Sequence, residues 1–198
     1  MISGLFRRKP ASEPLPVTMA AVKLGDRLLA VGVRNPALTA VLAAKVGLTG
    51  TACAIDEDEA EVSKAAASIE AAGALAEVTR AAWGMWPYDD SSFDVAVIPD
   101  LLPTLTSYDR SRCVSEVLRV LRPGGRALVI EPAPRGGFGA LLSGWGGSPS
   151  TGVSRTARGS RTEGYEGPAR ALKDGGFAAV RLLSEVDGVL YAEGIKKA

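Results

Sequence analysis

The sequence predicts an α/β protein built on a doubly wound, mostly parallel sheet, and three observations support this. Short apolar runs alternate with segments of helical periodicity along the 198 residues, a pattern typical of parallel strands joined by crossover helices. The run FDVAVI at 93–98 is nearly all apolar, which predicts a strand covered on both faces. A glycine-containing turn, within LLAVGVRNPALTA at 28–40, follows the first strand, where such sheets commonly bind ligands.

Seven strands are predicted from apolar runs bounded by turn residues. The runs at the first, second, fourth and fifth positions are the most apolar, whereas the third has a weaker pattern. The last two strands lie around the turn Asp187-Gly188, a dipeptide that favours hairpins. In chain order, the predicted strands cover 27–31, 51–55, 74–79, 93–98, 126–130, 177–183 and 189–194.

Each predicted helix has a recognisable start or stop. Asn35 and Ser107 can cap the helices that they precede. Pro36 and Pro168 suit a first helical turn, where no backbone N–H is needed. Glycines suit the positions just after a helix, as at Gly175-Gly176. The predicted helices cover 36–45, 57–72, 108–121 and 168–174.

Composition limits the function. The formal net charge of +1 removes the strongest argument for a nucleic-acid partner. The absence of histidine excludes Ser-His and Cys-His nucleophile systems and the usual zinc sites, and no metal site is predicted. Cys53 and Cys113 lie in apolar segments, which predicts buried thiols in a reducing, cytoplasmic compartment. The apolar runs are short and interrupted, so no stable membrane insertion is expected.

The chain is predicted to form one domain over 21–198, preceded by an extended tail over 1–20. The tail contains three prolines and a small basic cluster, and we expect it to be solvated rather than a membrane anchor. Within the domain, 132–167 is rich in Gly, Ser and Arg. A segment of this length without firm structure is typical of a lid, a binding loop or a disordered insert.

Several motifs occur in one order along the chain. WPYDDSSFDVAVIPDLL at 86–102, VSEVLRVLRPGGRALVIEP at 114–132 and LKDGGFAAVRLL at 172–183 resemble blocks of the class I S-adenosylmethionine-dependent methyltransferases. The sequence is most similar to the ubiquinone and menaquinone methyltransferases, which have a type 11 methyltransferase domain. This resemblance covers about 25–197. It implies a Rossmann-like sheet of order 3-2-1-4-5-7-6 with strand 7 antiparallel, and a ligand crevice beyond the carboxyl ends of strands 1 and 4.

The resemblance also implies a site for S-adenosylmethionine, from which this sequence departs. Gly32 matches the first glycine of the family's first motif, but Ala30 replaces its acid, and Arg34 and Pro36 replace the next two glycines. Arg34 either contacts an anionic group of a ligand, turns to solvent, or occupies the ligand's place. Asp56 ends the second strand, where the family has a ribose-binding acid, or else it caps the next helix.

Further candidates follow the third and fourth strands. Ala82 stands where the family often has an adenine-binding acid. The neighbouring Trp83 either stacks on an adenine or fills a vacated adenine site. Asp100, at the end of the fourth strand, is the candidate catalytic base. Its alternative role is to cap the turn between Pro99 and Pro103.

Two functions remain open at this stage. The first is a methyltransferase that uses S-adenosylmethionine to methylate a small molecule. The stretch FGALLSGWGG at 138–147 favours a partly apolar or lipophilic substrate, although 132–167 suits a protein partner equally well. The second is a catalytically inactive scaffold or binding protein of the same fold that has lost the cofactor.

Overall fold

The computed structural model describes residues 13–133 and 164–198. These residues form a seven-stranded sheet with helices on both faces. The strands are β1 (Arg27–Val31), β2 (Thr51–Asp56), β3 (Glu77–Arg80), β4 (Phe93–Pro99), β5 (Leu121–Pro132), β6 (Ala178–Val186) and β7 (Val189–Ile195). The helices are α1 (Leu15–Ala20), α2 (Pro36–Val46), α3 (Glu59–Ala71), α4 (Ser107–Val120) and α5 (Pro168–Asp174), with a 3₁₀ turn at Leu102–Thr104.

The strand order is β3-β2-β1-β4-β5-β7-β6, with β7 antiparallel to both of its neighbours. This order confirms the predicted fold class. The chain goes from β1 to β2 on one side, and later places β4 on the other side of β1. The carboxyl ends of β1 and β4 therefore flank the switch point of the sheet, where open α/β sheets have their ligand crevice.

Apolar clusters on both faces hold the helices on the sheet. On one face, Val114 and Val117 of α4 and Leu172 of α5 pack with alternate residues of the central strands. On the other face, α1 and α2 pack through residues such as Val17 and Leu42. Burying a side chain of this size contributes about 1.5–3 kcal/mol. This packing holds the helices against the sheet and so positions the loops after β1, β2 and β4 at one edge of it.

The helix α1 differs from the sequence prediction. Leu15–Ala20 was expected to belong to an extended tail, but it forms a helix that begins after Pro14. Val17 and Ala20 are fully buried against the α2 side of the core, and this burial stabilises a helix too short to form alone. The extended conformation is therefore wrong over these six residues. Residues 1–12 lie outside the described chain.

The LRPGG segment also differs from its prediction. The sequence prediction ended a helix at 121 and began the next strand at 126, yet β5 runs from Leu121 to Pro132. Leu121 pairs with Phe93, and Arg126 pairs with Val95, so the intervening residues form an irregularity within the ladder. Gly124 has φ +74, a conformation that favours glycine. The block thus extends the strand instead of preceding it.

Smaller differences concern element ends and the long segment before α5. The third strand begins at Glu77 rather than 74, and Thr106 rather than Ser107 caps α4, by accepting the Asp109 N–H at 3.1 Å. Most of the predicted lid or insert at 132–167 lies outside the described residues. Within 13–133 and 164–198, no helix combines the length and the apolar character needed to span a membrane.

Candidate functional site

The turn after β1 keeps the geometry expected of a ligand-binding loop at its glycine. Gly32 has φ +78, and a Cβ added there would lie 3.0 Å from the Leu101 side chain. The Gly32 N–H donates to the Ile55 oxygen at 2.8 Å. Asn35 caps α2 by accepting the Leu38 N–H at 3.1 Å, and Pro36 is its first residue. The predicted helix start is confirmed.

Asp56 is buried at the end of β2, with an exposed fraction of 0%. Its Oδ2 accepts the Val33 N–H and its Oδ1 accepts the Asp58 N–H, both at 3.0 Å. A carboxylate oxygen has two lone pairs, so each oxygen keeps one acceptor position. The alternative role of Asp56 as a helix cap is wrong, because Asp58 caps α3 by accepting the Ala60 N–H at 2.8 Å.

The Arg34 side chain crosses from the loop after β1 to the loop after β4. Its Nη1 donates to Thr104 Oγ1 at 3.1 Å. Thr104 Oγ1 in turn donates to the Leu101 oxygen at 2.8 Å. The sequence left the direction of Arg34 open, and the structure places it across the mouth of the crevice, in an exposed position.

Trp83 lies beyond β3, in the segment that follows Arg80. The Ala81 N–H donates to the Asp56 backbone oxygen at 3.0 Å, which ties this segment to the end of β2. Trp83 is 2% exposed and packs in the main core cluster with Trp86. Within the described residues, the Nε1 atoms of both indoles are buried without a hydrogen-bond partner. Leaving a buried donor unsatisfied costs about 1–3 kcal/mol.

Asp100 follows β4 in a backbone conformation that is rare for a residue with a side chain. Its φ is +52, and its N–H donates to the Ile130 oxygen at 2.7 Å. Burial raises the pKa of the Asp100 carboxyl, and the charge of Arg34 offsets part of this rise. Within the described residues its carboxylate does not cap the following 3₁₀ turn. An unusual backbone and a raised pKa at the crevice are typical of functional positions.

A second polar cluster, which the sequence reasoning missed in part, lies at the end of β5. Arg110 is 7% exposed. It donates from Nε to the Leu102 oxygen at 3.0 Å and from Nη2 to the Leu105 oxygen at 2.8 Å. Its Cζ lies 4.4 Å from the ring centre of Tyr165, whose hydroxyl donates to Glu131 Oε2 at 2.5 Å.

The signal for Arg110 was present in the sequence. It precedes Cys113, Val114 and Val117 by three, four and seven residues, so it occupies a core position of α4. A charged residue at such a position predicts a buried, hydrogen-bonded side chain. No pattern in the sequence connects Arg110 with Glu131 or Tyr165.

One cavity lies beside this second cluster. It has a volume of about 250 Å³ and opens between α4 and α5, lined in part by Ser107, Ser111, Arg110 and Tyr165. None of its lining residues is a predicted cofactor residue. In the part of the chain that the structure describes, no group of three or more Cys, Asp or Glu side chains could hold a metal ion.

Comparison with known proteins agrees with this architecture. A family model described as a methyltransferase domain matches residues 28–125. The ubiquinone/menaquinone biosynthesis C-methyltransferase UbiE of Idiomarina loihiensis is 29% identical over 117 residues, which cover 58% of this chain and 46% of that protein. The glycine/sarcosine/dimethylglycine N-methyltransferase of Actinopolyspora halophila is 34% identical over 106 residues, which cover 54% of this chain and 18% of that protein. The chain thus spans less than half the length of these curated relatives.

A solved structure supports the same fold. The crystal structure of an S-adenosylmethionine-dependent methyltransferase from Aquifex aeolicus aligns with a TM-score of 0.64 and 20% identity, covering 88% of this chain and 84% of that one. The sheet order and the switch-point loops define a Rossmann-like methyltransferase domain. The chain belongs to the class I S-adenosylmethionine-dependent methyltransferase family.

Proposed function

We propose that this protein is an S-adenosylmethionine-dependent methyltransferase that acts on a small, partly apolar molecule. The observation that carries this proposal is the buried, unpartnered indole N–H of Trp83, two residues after Ala81, whose N–H donates to the Asp56 backbone oxygen. A donor without a partner and a carboxylate with open acceptor positions suit a nucleoside, which offers ring acceptors and two ribose hydroxyls. The resemblance to the family predicts an adenosine site at these two positions.

Each residue would have a distinct role in this function. Asp56 would accept the ribose hydroxyls, Trp83 would donate to or stack on the base, and Gly32 would let the ligand approach the backbone. S-adenosylmethionine, when bound, supplies an electrophilic methyl group. Asp100 would accept the proton that the methyl acceptor loses, and its raised pKa suits a general base. Ala30 supplies no charge for the methionine amine, so we expect weak cofactor binding.

The methyl acceptor is proposed as partly apolar on two grounds. FGALLSGWGG at 138–147, which lies outside the described residues, offers apolar surface in the sequence. The relative from Idiomarina loihiensis is named for ubiquinone and menaquinone biosynthesis. A protein partner that binds through 132–167 also remains a proposal.

A second candidate is an inactive scaffold or binding protein with the same fold. It is favoured by the closure of the crevice, because Leu101 covers Gly32 and Asp56 has no exposed surface. Neither the cavity of about 250 Å³ between α4 and α5 nor the one of about 480 Å³ between α3 and β3 is lined by Gly32 or Asp56. The crevice must therefore open at these two residues before a nucleoside can enter.

Calorimetric titration of the full chain separates the two candidates. We expect S-adenosylmethionine and S-adenosylhomocysteine to bind with dissociation constants between about 10 µM and 1 mM, weakened by the missing polar contacts. Asp56→Ala should abolish this binding. The matched control is Asp58→Ala, which removes the neighbouring carboxylate and the cap of α3 but leaves the proposed ribose contact in place.

Two outcomes would decide against the enzyme. The absence of both heat and thermal stabilisation at millimolar concentrations of either ligand would favour the inactive scaffold. Binding that survives Asp56→Ala but is lost in Asp58→Ala would place the ligand elsewhere.

A further inference from the structure

Four residues join the loops after β1 and β4 across the crevice, and we call this set the clasp: Gly32, Arg34, Leu101 and Thr104. Arg34 Nη1 donates to Thr104 Oγ1 at 3.1 Å. Thr104 Oγ1 donates to the Leu101 oxygen at 2.8 Å. The Leu101 side chain lies over Gly32, 3.0 Å from the place where a Cβ would be. The four residues thus form a closed series of contacts from one loop to the other.

The clasp covers the surface that a ligand has to reach. Gly32 is the only position of the turn after β1 that combines a bare backbone with a positive φ, and Leu101 occupies the space beside it. Ligands of open α/β sheets enter between these two loops. The Arg34–Thr104 bond is charge-assisted, but Arg34 is exposed, so water competes for it and it contributes a modest energy. A bond of this kind can hold a loop in place and still open.

We propose that Arg34 and Thr104 hold the crevice closed and thereby limit the access of a nucleoside ligand to Gly32 and Asp56. That the ligand is a nucleoside rests on the proposed function. The contacts of the clasp are present without a ligand and do not depend on that function. Arg34 would then act against binding, by keeping Leu101 over Gly32. The opposite role, in which Arg34 holds an anionic group of the ligand, predicts the opposite effect of its removal.

The first measurement needs no ligand. Thr104→Val keeps the shape of the side chain but removes its hydrogen bonds to Arg34 and Leu101. We expect amide hydrogen exchange over 100–106 to accelerate about three- to tenfold, the effect of losing two hydrogen bonds of modest energy. Thr39→Val is the matched control, because the Thr39 hydroxyl donates to the Asn35 oxygen at 3.2 Å within α2 and does not cross the crevice. It should leave exchange over 100–106 unchanged.

The second measurement is calorimetric titration with S-adenosylhomocysteine. We expect Thr104→Val and Arg34→Met each to tighten binding about three- to tenfold, and Thr39→Val to leave it unchanged. Weaker binding in Arg34→Met would overturn the proposal, because Arg34 would then be a ligand contact. Unaltered exchange in Thr104→Val would overturn it as well. Faster exchange without binding in any variant would support the clasp and refute the proposed function, so the two failures are distinguishable.

Discussion

At the scale of single residues, Gly32 is where the turn after β1 depends most on a missing side chain. Its φ is +78, and a Cβ would meet Leu101 at 3.0 Å. Gly73, after α3, has φ +66 but nothing within 4 Å of a Cβ position. We expect Gly32→Ala to lower the free energy of unfolding by about 2–3 kcal/mol, from backbone strain and overpacking together. Gly73→Ala, with strain alone, should lower it by about 1 kcal/mol.

Urea denaturation of both variants measures this difference. Equal losses would contradict a close contact between Leu101 and Gly32, and with it the geometry of the clasp.

The sequence predicted the position of a site residue where the residue directly follows a strand, but it did not predict the direction of a long side chain. Gly32 and Asp56 stand next to apolar strands, so their places at the sheet edge followed from the strand pattern. The direction of Arg34 did not, because a long side chain in a loop chooses among partners that come from distant parts of the sequence. Thr104, its observed partner, is 70 residues away. The roles assigned to these residues remain predictions.

At the scale of elements, Arg110 connects the start of α4 with the loop after β4. Its guanidinium satisfies the carbonyl oxygens of Leu102 and Leu105. Arg110→Met should lower the free energy of unfolding by about 2–4 kcal/mol, because both carbonyls lose the hydrogen bond from Arg110 and the contact with Tyr165 is lost. Arg110→Lys should not restore it, since one ammonium group lacks the fork of donors that a guanidinium provides.

The control for this prediction is Arg112→Met on the same helix. Arg112 is half-buried and donates to the Gly84 oxygen at 3.3 Å. Its loss should cost less than about 1 kcal/mol. Thermal denaturation compares the variants, and similar losses at 110 and 112 would show that Arg110 does not have this connecting role.

The order of the elements followed from the sequence, whereas some of their limits did not. A continuous apolar run such as β4 must be buried on both faces, and this can be inferred from the residues of the run alone. The first residues of β5 depend instead on pairing with β4, because Leu121 joins the ladder opposite Phe93. Likewise, α1 forms because Val17 and Ala20 find apolar surface on the core, which the isolated sequence of six residues does not reveal.

At the scale of the whole molecule, the two ends of β4 have different roles. An acid near its start stabilises the fold, and an acid after its end belongs to the candidate site. Asp94, near its start, accepts the Arg27 N–H at 2.7 Å and Arg122 Nε at 2.5 Å. Asp100 follows its end, beside the clasp. Asp94 therefore ties β1, β4 and β5 together, whereas Asp100 has no comparable set of donors among the described residues.

These two acids should respond to pH in opposite ways. Burial tends to raise the pKa of Asp94, but hydrogen bonds from Arg27 and Arg122 outweigh it and lower the pKa to about 2. Its ionised form stabilises the fold above the unfolded pKa of about 4, and this contribution is lost as the pH falls towards 2. Burial raises the pKa of Asp100, so its contribution is complete below an unfolded pKa of about 4 and is lost as the pH rises through the folded pKa.

Urea unfolding of Asp94→Asn and Asp100→Asn at pH 7 and pH 3 measures this contrast. At pH 7, we expect Asp94→Asn to lose about 1 kcal/mol, because its partners are 43% and 48% exposed and solvent screens them. Asp100→Asn should gain about 0.5 kcal/mol, because the amide resembles the neutral acid and tolerates a positive φ. Both differences should shrink at pH 3. A loss of stability in both variants at pH 7 would mean that Asp100 is a structural acid like Asp94, and would remove it as the candidate base.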